Sequence, residues 1–297
     1  MTEPLVYVNG AFVPESRATI SVLDHAVLYG DGVFDTAFAW NGRVFKLDAH
    51  VERSFRSMAA VAIPPPVDRA ELKRLLLEAV RRNGLREAYL KWIVTRGANG
   101  TPLLDPAGCV PNLIIIARPY IHRASAERIA RGLTLKTVAV RRPSGQVLDP
   151  HIKSLNYLNL VMAKLEAKAA GADEALLLDL AGRVCEATGN NVFVVHGNRL
   201  RTPRHDVLHG ITRETVGELA AAQGWRVEEA DLELYDAYTA DEVFLCGTAG
   251  GLLPVATIDG RPVGAGRPGP AWRALSEAYL ARIESGVDGV DAYEENR

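Results

Sequence analysis

Along this chain, short runs with the two-residue period of strands are interrupted by stretches with the three- and four-residue spacing of helices. Residues 5–8, 33–40 and 43–47 have the apolar and β-branched content of strands. Asn41-Gly42 separates the last two, and both residue types tolerate positive φ, so the pair predicts a hairpin. Beyond it, Val51, Phe55, Met58 and Val61 follow Asp48, while Leu72, Leu75, Leu76 and Val80 follow Asp68. Each set falls on one helical face, and each aspartate stands where a side-chain oxygen can accept from the first unpaired amides. Two N-capped helices are expected. Strands return at 88–94 and 112–117, so this half reads as α+β. The stretch 97–111 between them contains Gly and Pro and is long for a connection, which makes it a candidate lid or pocket wall.

A polar, proline-bearing segment, Arg118-Pro119-Tyr120-Ile121-His122-Arg123, follows that strand and precedes a new series of elements. It places the boundary between an N-terminal domain, 1–119, and a C-terminal domain, 124–297, with a linker at 120–123. The second half predicts a helix over about 156–170, strands near 174–178 and 191–195, a helix after Thr212 as its N-cap, and a strand at 242–246. Strands dominate there, with helices packed outside. No internal repeat, low-complexity tract or heptad run is present.

Composition narrows the function classes. A chain of 297 residues exceeds what one hydrophobic core usually organises, which agrees with two domains. Apolar residues at 48% and charged residues at 24% are ordinary for a folded globular protein. A formal net charge of -2 offers no electrostatic footprint for nucleic acid. Cys109, Cys185 and Cys246 are far apart and lack paired metal-ligand spacing, and the histidines form no ligand cluster, so no metal is called for and a reducing compartment fits. No segment has the length and apolarity to span a bilayer and the N-terminus has no basic start, so no membrane partner and a cytoplasmic location are expected.

The chemistry concentrates in His151-Ile152-Lys153-Ser154-Leu155-Asn156-Tyr157-Leu158-Asn159 and in Val184-Cys185-Glu186-Ala187-Thr188-Gly189-Asn190-Asn191. A lysine held among apolar and amide residues loses its proton more easily than a solvated one, and a neutral amine can condense with an aldehyde. Lys73, Lys164 and Lys168 sit in helical patterns among charged residues, where solvated faces carry charge as a matter of course. Lys91 alternates to one face of a strand in Tyr89-Leu90-Lys91-Trp92-Ile93, so it either reaches a pocket or lies on an exposed sheet face. Lys153 differs because Ile152 and Leu155 flank it and a helix begins just after. Two segments suit phosphate. His209-Gly210-Ile211-Thr212 opens a helix whose free N–H groups favour an anion, and Cys246-Gly247-Thr248-Ala249-Gly250-Gly251 lets backbone amides approach oxygen closely after an apolar strand.

Taken together, these motifs resemble those of the class IV aminotransferases, the fold-type-IV pyridoxal phosphate enzymes. The similarity runs from Tyr7-Val8-Asn9-Gly10 to about Ser285, with several motifs in the family's order. The resemblance implies an α+β two-domain fold with a smaller N-terminal α/β sandwich and a larger C-terminal pseudo-barrel carrying outer helices. It also implies pyridoxal 5'-phosphate as cofactor. Lys153 matches the family's Schiff-base lysine and proton carrier, Glu186 the carboxylate at the pyridine nitrogen, and Arg53 of His50-Val51-Glu52-Arg53 the phosphate-binding arginine. Tyr157 matches the residue near the cofactor's phenolic oxygen, Ile211, Thr212 and Thr248 the remaining phosphate contacts, and Ala249 the turn beside the substrate carboxylate. The roles have physical sense: guanidinium meets phosphate as a planar fork of donors, and a carboxylate favours the protonated pyridine that delocalises a carbanion.

The resemblance further implies a ping-pong transamination between an amino donor and a 2-oxo acid acceptor, carried out by at least a homodimer. Tyr29, Phe34, Thr36, Trp40, Tyr89, Lys91 and the 97–111 stretch fall where the family builds its substrate pockets, which suggests a mainly apolar pocket with a few polar groups. Tyr29-Gly30-Asp31-Gly32-Val33-Phe34-Asp35 resembles both branched-chain and D-amino-acid members, and Thr248-Ala249-Gly250-Gly251 resembles the (R)-amine transaminases. The Arg-x-His clamp of bacterial D-amino-acid members is absent after Thr95-Arg96-Gly97, and no arginine in the adjacent loop stands ready for an oxo-acid carboxylate as in the (R)-amine members. A branched-chain or other apolar amino acid is therefore the expected donor. The alternatives are a D-amino-acid or (R)-amine transaminase, or an aminodeoxychorismate lyase using the same lysine without an acceptor.

Overall fold

The hairpin at Asn41-Gly42 forms with both residues at positive φ, 48° and 81°, and Trp40 pairs with Arg43 across it. The structure is a computed structural model and describes residues 3–120 and 125–294. Its first elements are β1 (Leu5–Val8), β2 (Ala11–Pro14), α1 (His25–Tyr29), β3 (Gly32–Trp40), β4 (Arg43–Phe45), α2 (Leu47–Ala60), α3 (Arg69–Arg82), β5 (Ala88–Ala98) and β6 (Val110–Pro119). After them come α4 (Ala126–Arg131), β7 (Leu133–Arg141), α5 (Leu158–Ala169), β8 (Glu174–Leu178), β9 (Val184–Ala187), β10 (Asn191–His196), β11 (Arg199–Pro203), α6 (Ile211–Ala222) and β12 (Arg226–Ala230). The series ends with α7 (Leu234–Tyr238), β13 (Glu242–Gly247), β14 (Gly251–Ile258), β15 (Arg261–Pro262), α8 (Pro270–Glu284) and β16 (Gly289–Asp291).

Two compact units result. One comprises Met1–Ile121, Ile152–Asn156 and Arg282–Arg297, the other His122–His151 and Tyr157–Ala281. Of the expected linker at 120–123, residues 121–123 lie outside the described residues. The first unit is built on an antiparallel sheet in the order β16-β4-β3-β5-β6-β1-β2. Helices α2 and α3 cover one face, where Val51, Phe55, Met58, Leu72 and Leu76 pack with Ala37, Leu90, Trp92 and Ile115. Alternation along β5 sets this up: Ala88, Leu90, Trp92 and Val94 are buried against the helices, while Tyr89, Lys91 and Ile93 are half-buried on the opposite face.

In the second unit β10, β13, β14, β7, β8 and β9 pair in succession, and β9 pairs back with β10 through Glu186 and Asn191. The six strands therefore close into a barrel-like sheet, the pseudo-barrel expected from the resemblance. Its core includes Leu135, Leu176, Val192, Val194, Leu245 and Val255. Helix α5 packs outside it, placing Leu160, Ala163 and Ala167 against Val138, Ala175 and Leu177.

Three local expectations need correction. Asp68 caps α3, accepting from the Glu71 amide at 2.8 Å, but Asp48 does not cap α2. That helix starts at Leu47, two residues earlier than an Asp48 cap would place it, straight out of β4, and its N-cap position is Lys46 in left-handed conformation (φ 49°, ψ 36°) without a side-chain cap. The N-cap of α6 is Gly210, not Thr212, because the helix begins at Ile211. Finally, strand pairing continues through Ala98 and Val110, so the irregular stretch shrinks to 99–109. Gly97 permits this close approach: its φ is 86°, and an added Cβ would lie 1.7 Å from the Val110 carbonyl oxygen.

Candidate active site

Lys153 is held by its backbone. Its carbonyl accepts from the Phe34 amide at 2.9 Å, Ser154 bridges to Val33 as an antiparallel partner, and the Leu155 amide donates to the Gly32 carbonyl at 2.9 Å. Residues 152–156 thus lie along the N-terminal half of β3, which β4 leaves uncovered because β4 pairs only with Ala39 and Trp40. On the helix side, the Lys153 amide donates to Ser57 Oγ of α2 at 3.2 Å. Gly32 is required here, since an added Cβ would meet Leu155 Cδ1 at 2.7 Å and the Val94 carbonyl at 2.8 Å.

The side chain of Lys153 is half-buried, with Nζ 4.7 Å from the centre of the Phe34 ring. Lys91 Nζ stands 4.5 Å from the same centre. Burial, and then the charge of Lys153, hold the Lys91 ammonium below its ordinary value. Phe34 pairs with Ile93, Thr36 with Lys91 and Phe38 with Tyr89, so Phe34, Thr36, Trp40, Tyr89 and Lys91 share the sheet face turned away from α2 and α3. Trp40, six residues along β3 from Phe34, is about 20 Å from it, farther than one small-molecule pocket reaches. Tyr29 is on α1, where its ring meets His25 edge-on and its hydroxyl donates to the Pro102 carbonyl at 2.8 Å, in the 99–109 stretch.

Arg53 lies on the buried side of α2 and is 6% exposed. Its Nε and Nη2 donate to the two oxygens of Asp35 at 2.8 and 2.6 Å, and His50 Nδ1 lies 2.9 Å from Asp35 Oδ1. Burial alone would raise the Asp35 carboxyl, yet the Arg53 guanidinium and the His50 ring hold it well below the usual carboxylate range. Burial also pushes His50 down, against the raising effect of Asp35. Asp35 was not singled out from the sequence, although a carboxylate interrupting an apolar strand was a usable sign.

In the second unit, Asn191 pairs with Glu186 on β9 and with Cys246 on β13, so these residues share one level of the barrel. Glu186 is 5% exposed. Arg142 Nε lies 2.7 Å from its Oε1, while the Leu208 amide at 3.1 Å and Asn191 Nδ2 at 3.4 Å donate to its Oε2. Asn191 Nδ2 also donates to the Leu208 carbonyl at 2.8 Å, and its Oδ1 would lie 2.0 Å from a Cβ on Gly210. One amide side chain therefore links Glu186 to the start of α6, where Ile211 and Thr212 are buried. Just beyond Cys246, Thr248 and Ala249 form the turn between β13 and β14, half-buried, with Gly247 and Gly251 paired beneath them. Tyr157 occupies the N-cap position of α5 and packs against the Val138 and Leu160 cluster. Arg142 and Asn191 escaped sequence reasoning; nothing local distinguishes Arg142, because its partner is 44 positions away.

Burial pushes the Cys246 thiol up to about 12 and Cys185 higher still, so neither is a nucleophile. Among the described residues no cluster of His, Cys, Asp or Glu could hold a metal ion, and no helix is long and apolar enough to cross a membrane.

The residues fit a phosphorylated pyridine aldehyde. Taken unit by unit, the half-buried amine of the first suits an aldehyde, while the second offers a buried carboxylate beside Arg142, which suits a protonated ring nitrogen, and a helix start whose Gly210 N-cap supplies no side-chain acceptor, which suits an anion. Comparisons with known proteins agree. The family model of amino-transferase class IV matches residues 32–258. A putative branched-chain-amino-acid aminotransferase of Methanocaldococcus jannaschii is 44% identical, over 92% of this chain and 94% of its own. The branched-chain-amino-acid aminotransferase of Pseudomonas aeruginosa is 34% identical, over 93% and 92%. Among solved structures, the T.th. branched-chain amino acid aminotransferase with pyridoxamine 5'-phosphate superposes with a TM-score of 0.93 at 34% identity, covering 98% of this chain and 99% of that one. The same enzyme has been solved with N-(5'-phosphopyridoxyl)-L-glutamate and with 4-methylvaleric acid. From its folded units to the chemistry of its buried residues, the chain belongs to the class IV aminotransferases, and it is a pyridoxal 5'-phosphate-dependent transaminase of fold type IV.

Proposed function

We propose that this transaminase takes the amino group of a branched-chain or similarly apolar L-amino acid and passes it to an acidic 2-oxo acid, the first product leaving before the acceptor binds. The observation that carries this reading is the face around Lys153: the Phe34 ring, the half-buried Tyr89 and Ile93, and the cation of Lys91. An apolar side chain is favoured on the aromatic surface, and the Lys91 ammonium suits the second carboxylate of an acidic acceptor. The names of the relatives, and the glutamate adduct and 4-methylvaleric acid bound by the T.th. enzyme, support both halves.

In this reading Arg53, Ile211, Thr212 and Thr248 would hold the cofactor's phosphate, Glu186 its ring nitrogen and Tyr157 its phenolic oxygen, and Ala249 would lie at the substrate carboxylate. Bound there, the cofactor supplies an electron sink for the carbanion left when the α-proton departs. Lys153 Nζ takes that α-proton, which requires a neutral amine, and retains it for return. The Arg142 guanidinium and the Leu208 amide hold the Glu186 side chain in place from its two oxygens. Asp35 sets the plane of the Arg53 guanidinium through two hydrogen bonds.

We also infer a cytoplasmic homodimer or higher homo-oligomer. Three free thiols fit a reducing compartment. Leu158, Val161, Met162 and Leu165 line one side of α5 and are 74%, 51%, 49% and 55% exposed in the single chain, an apolar stripe that a second copy would cover. The deciding experiment follows the cofactor's absorbance as L-leucine, D-alanine and (R)-1-phenylethylamine are added separately. Conversion by L-leucine alone is expected. Conversion only by D-alanine or the (R)-amine would overturn the donor assignment, and pyruvate released from aminodeoxychorismate without an acceptor would replace transfer with lysis.

A further inference from the structure

Two lysine ammonium groups on one aromatic ring are an unusual arrangement. Nζ of Lys91 and Nζ of Lys153 lie 4.5 and 4.7 Å from the centre of Phe34, so the two nitrogens are at most about 9 Å apart whatever their placement around the ring. The ring attracts each cation, but the cations repel each other through a partly dehydrated space. Lys91 projects from β5 and Lys153 from a different segment, each fixed by backbone pairing, so neither can retreat by moving its main chain.

Other charged groups of this unit are engaged elsewhere or are themselves cations. Asp35, a buried carboxylate one residue along β3 from Phe34, is committed to Arg53 and His50 on the helix-covered face. Arg118, across the sheet from Tyr89, is another cation and pairs with Glu15. His50 is disfavoured as a cation first by burial and then by the charges of Arg53 and Lys153. Among the described residues no carboxylate pairs with Lys91.

We propose that Lys91 is a positioning residue for the chemistry of Lys153: its positive charge, acting across Phe34, favours the neutral, nucleophilic form of the Lys153 amine. This rests on Lys153 being the amine that condenses with the cofactor and accepts the α-proton. It adds a consequence for catalysis. An acidic acceptor whose carboxylate pairs with Lys91 cancels that charge and raises the proton affinity of Lys153, so the amine holds its proton more firmly while the acceptor is bound. The strand position therefore serves substrate recognition and proton affinity together.

The test uses cofactor-free protein and reads the amine directly. Wild type, Lys91→Met, Lys91→Gln and Lys91→Arg are treated with trace acetic anhydride at a series of pH values, and the labelling rate of Lys153 is measured by mass spectrometry with Lys73 as an internal standard. At pH 8, Lys153 in Lys91→Met and Lys91→Gln should label about three- to tenfold more slowly, the change expected from removing one charge at this separation. Lys91→Arg should label as wild type does. Equal labelling profiles for wild type and both neutral variants would overturn the proposal, as would slowing in Lys91→Arg equal to theirs. A separate arm adds pyridoxal phosphate to wild type before labelling: failure to protect Lys153 would remove the underlying assignment, while protection with unchanged variant profiles would remove only the role of Lys91.

Discussion

The carboxylate of Asp35, fully buried on β3, receives two hydrogen bonds from Arg53 on α2, with 2.8 and 2.6 Å between heavy atoms. Both groups are buried, and Asp35 is also held by His50 Nδ1 and the Thr36 amide. Asp35→Asn removes the carboxylate charge from this pair, and loss of one partner of such a pair costs about 3–5 kcal/mol. Urea unfolding should show that loss, and equilibrium dialysis should show weaker retention of pyridoxal phosphate. A variant as stable as wild type would mean that Arg53 does not depend on Asp35.

His50 supplies a pH dependence. Burial keeps the folded ring neutral below the pH at which the unfolded chain takes up a proton, so its contribution is complete above about pH 6.5 and is lost as pH falls below it. Each pH unit below that point costs up to about 1.4 kcal/mol from this group. Asp35 adds its own loss only below about pH 4, because its folded value is depressed from the carboxylate range. Unfolding free energies at pH 7.5 and 5.5 should therefore converge in His50→Gln and diverge in wild type.

Lys153→Ala should lower multiple-turnover activity by about a thousandfold or more, since both anchoring and proton transfer are removed. Steady-state turnover with L-leucine and 2-oxoglutarate checks this. Wild-type turnover in the variant would sink the assignment of Lys153.

Gly210→Ala places a methyl group 2.0 Å from Asn191 Oδ1, which has to move, and with it the hydrogen bonds that Asn191 makes to Leu208 and Glu186. Cofactor affinity should fall about tenfold or more, measured by fluorescence titration, while far-ultraviolet circular dichroism stays unchanged. Unaltered affinity would show that this end of α6 is not part of the phosphate site.

The stripe on α5 gives a test of assembly. Leu165→Glu puts a charge at one end of an apolar face that is exposed in the single chain. Analytical ultracentrifugation should show a shift towards the single-chain mass. An oligomer of unchanged size would move the interface elsewhere.

What could be read along the chain were features whose cause is local. Asn41-Gly42 accepts positive φ at both positions, Asp68 reaches an amide three residues on, and the alternation in β5 separates Trp92 from Lys91. The segments around Lys153 and Glu186 could also be singled out, because each is short and contiguous. Local rules failed where a tertiary demand replaced them. The helix behind Asp48 starts directly from β4, and the strands flanking the 99–109 stretch run on because Gly97 allows two backbones to approach.

By itself, then, the sequence determined the period of each element and the hairpin, since each depends on neighbours within a few residues. Tertiary structure decided which charges neutralise one another. Asp35 meets Arg53 across 18 positions and Arg142 meets Glu186 across 44, while Lys91 is brought to the ring that also holds Lys153 across 62. The physical reason is that Coulomb and hydrogen-bond energies depend on separation in space and on burial, and both are properties of the folded chain.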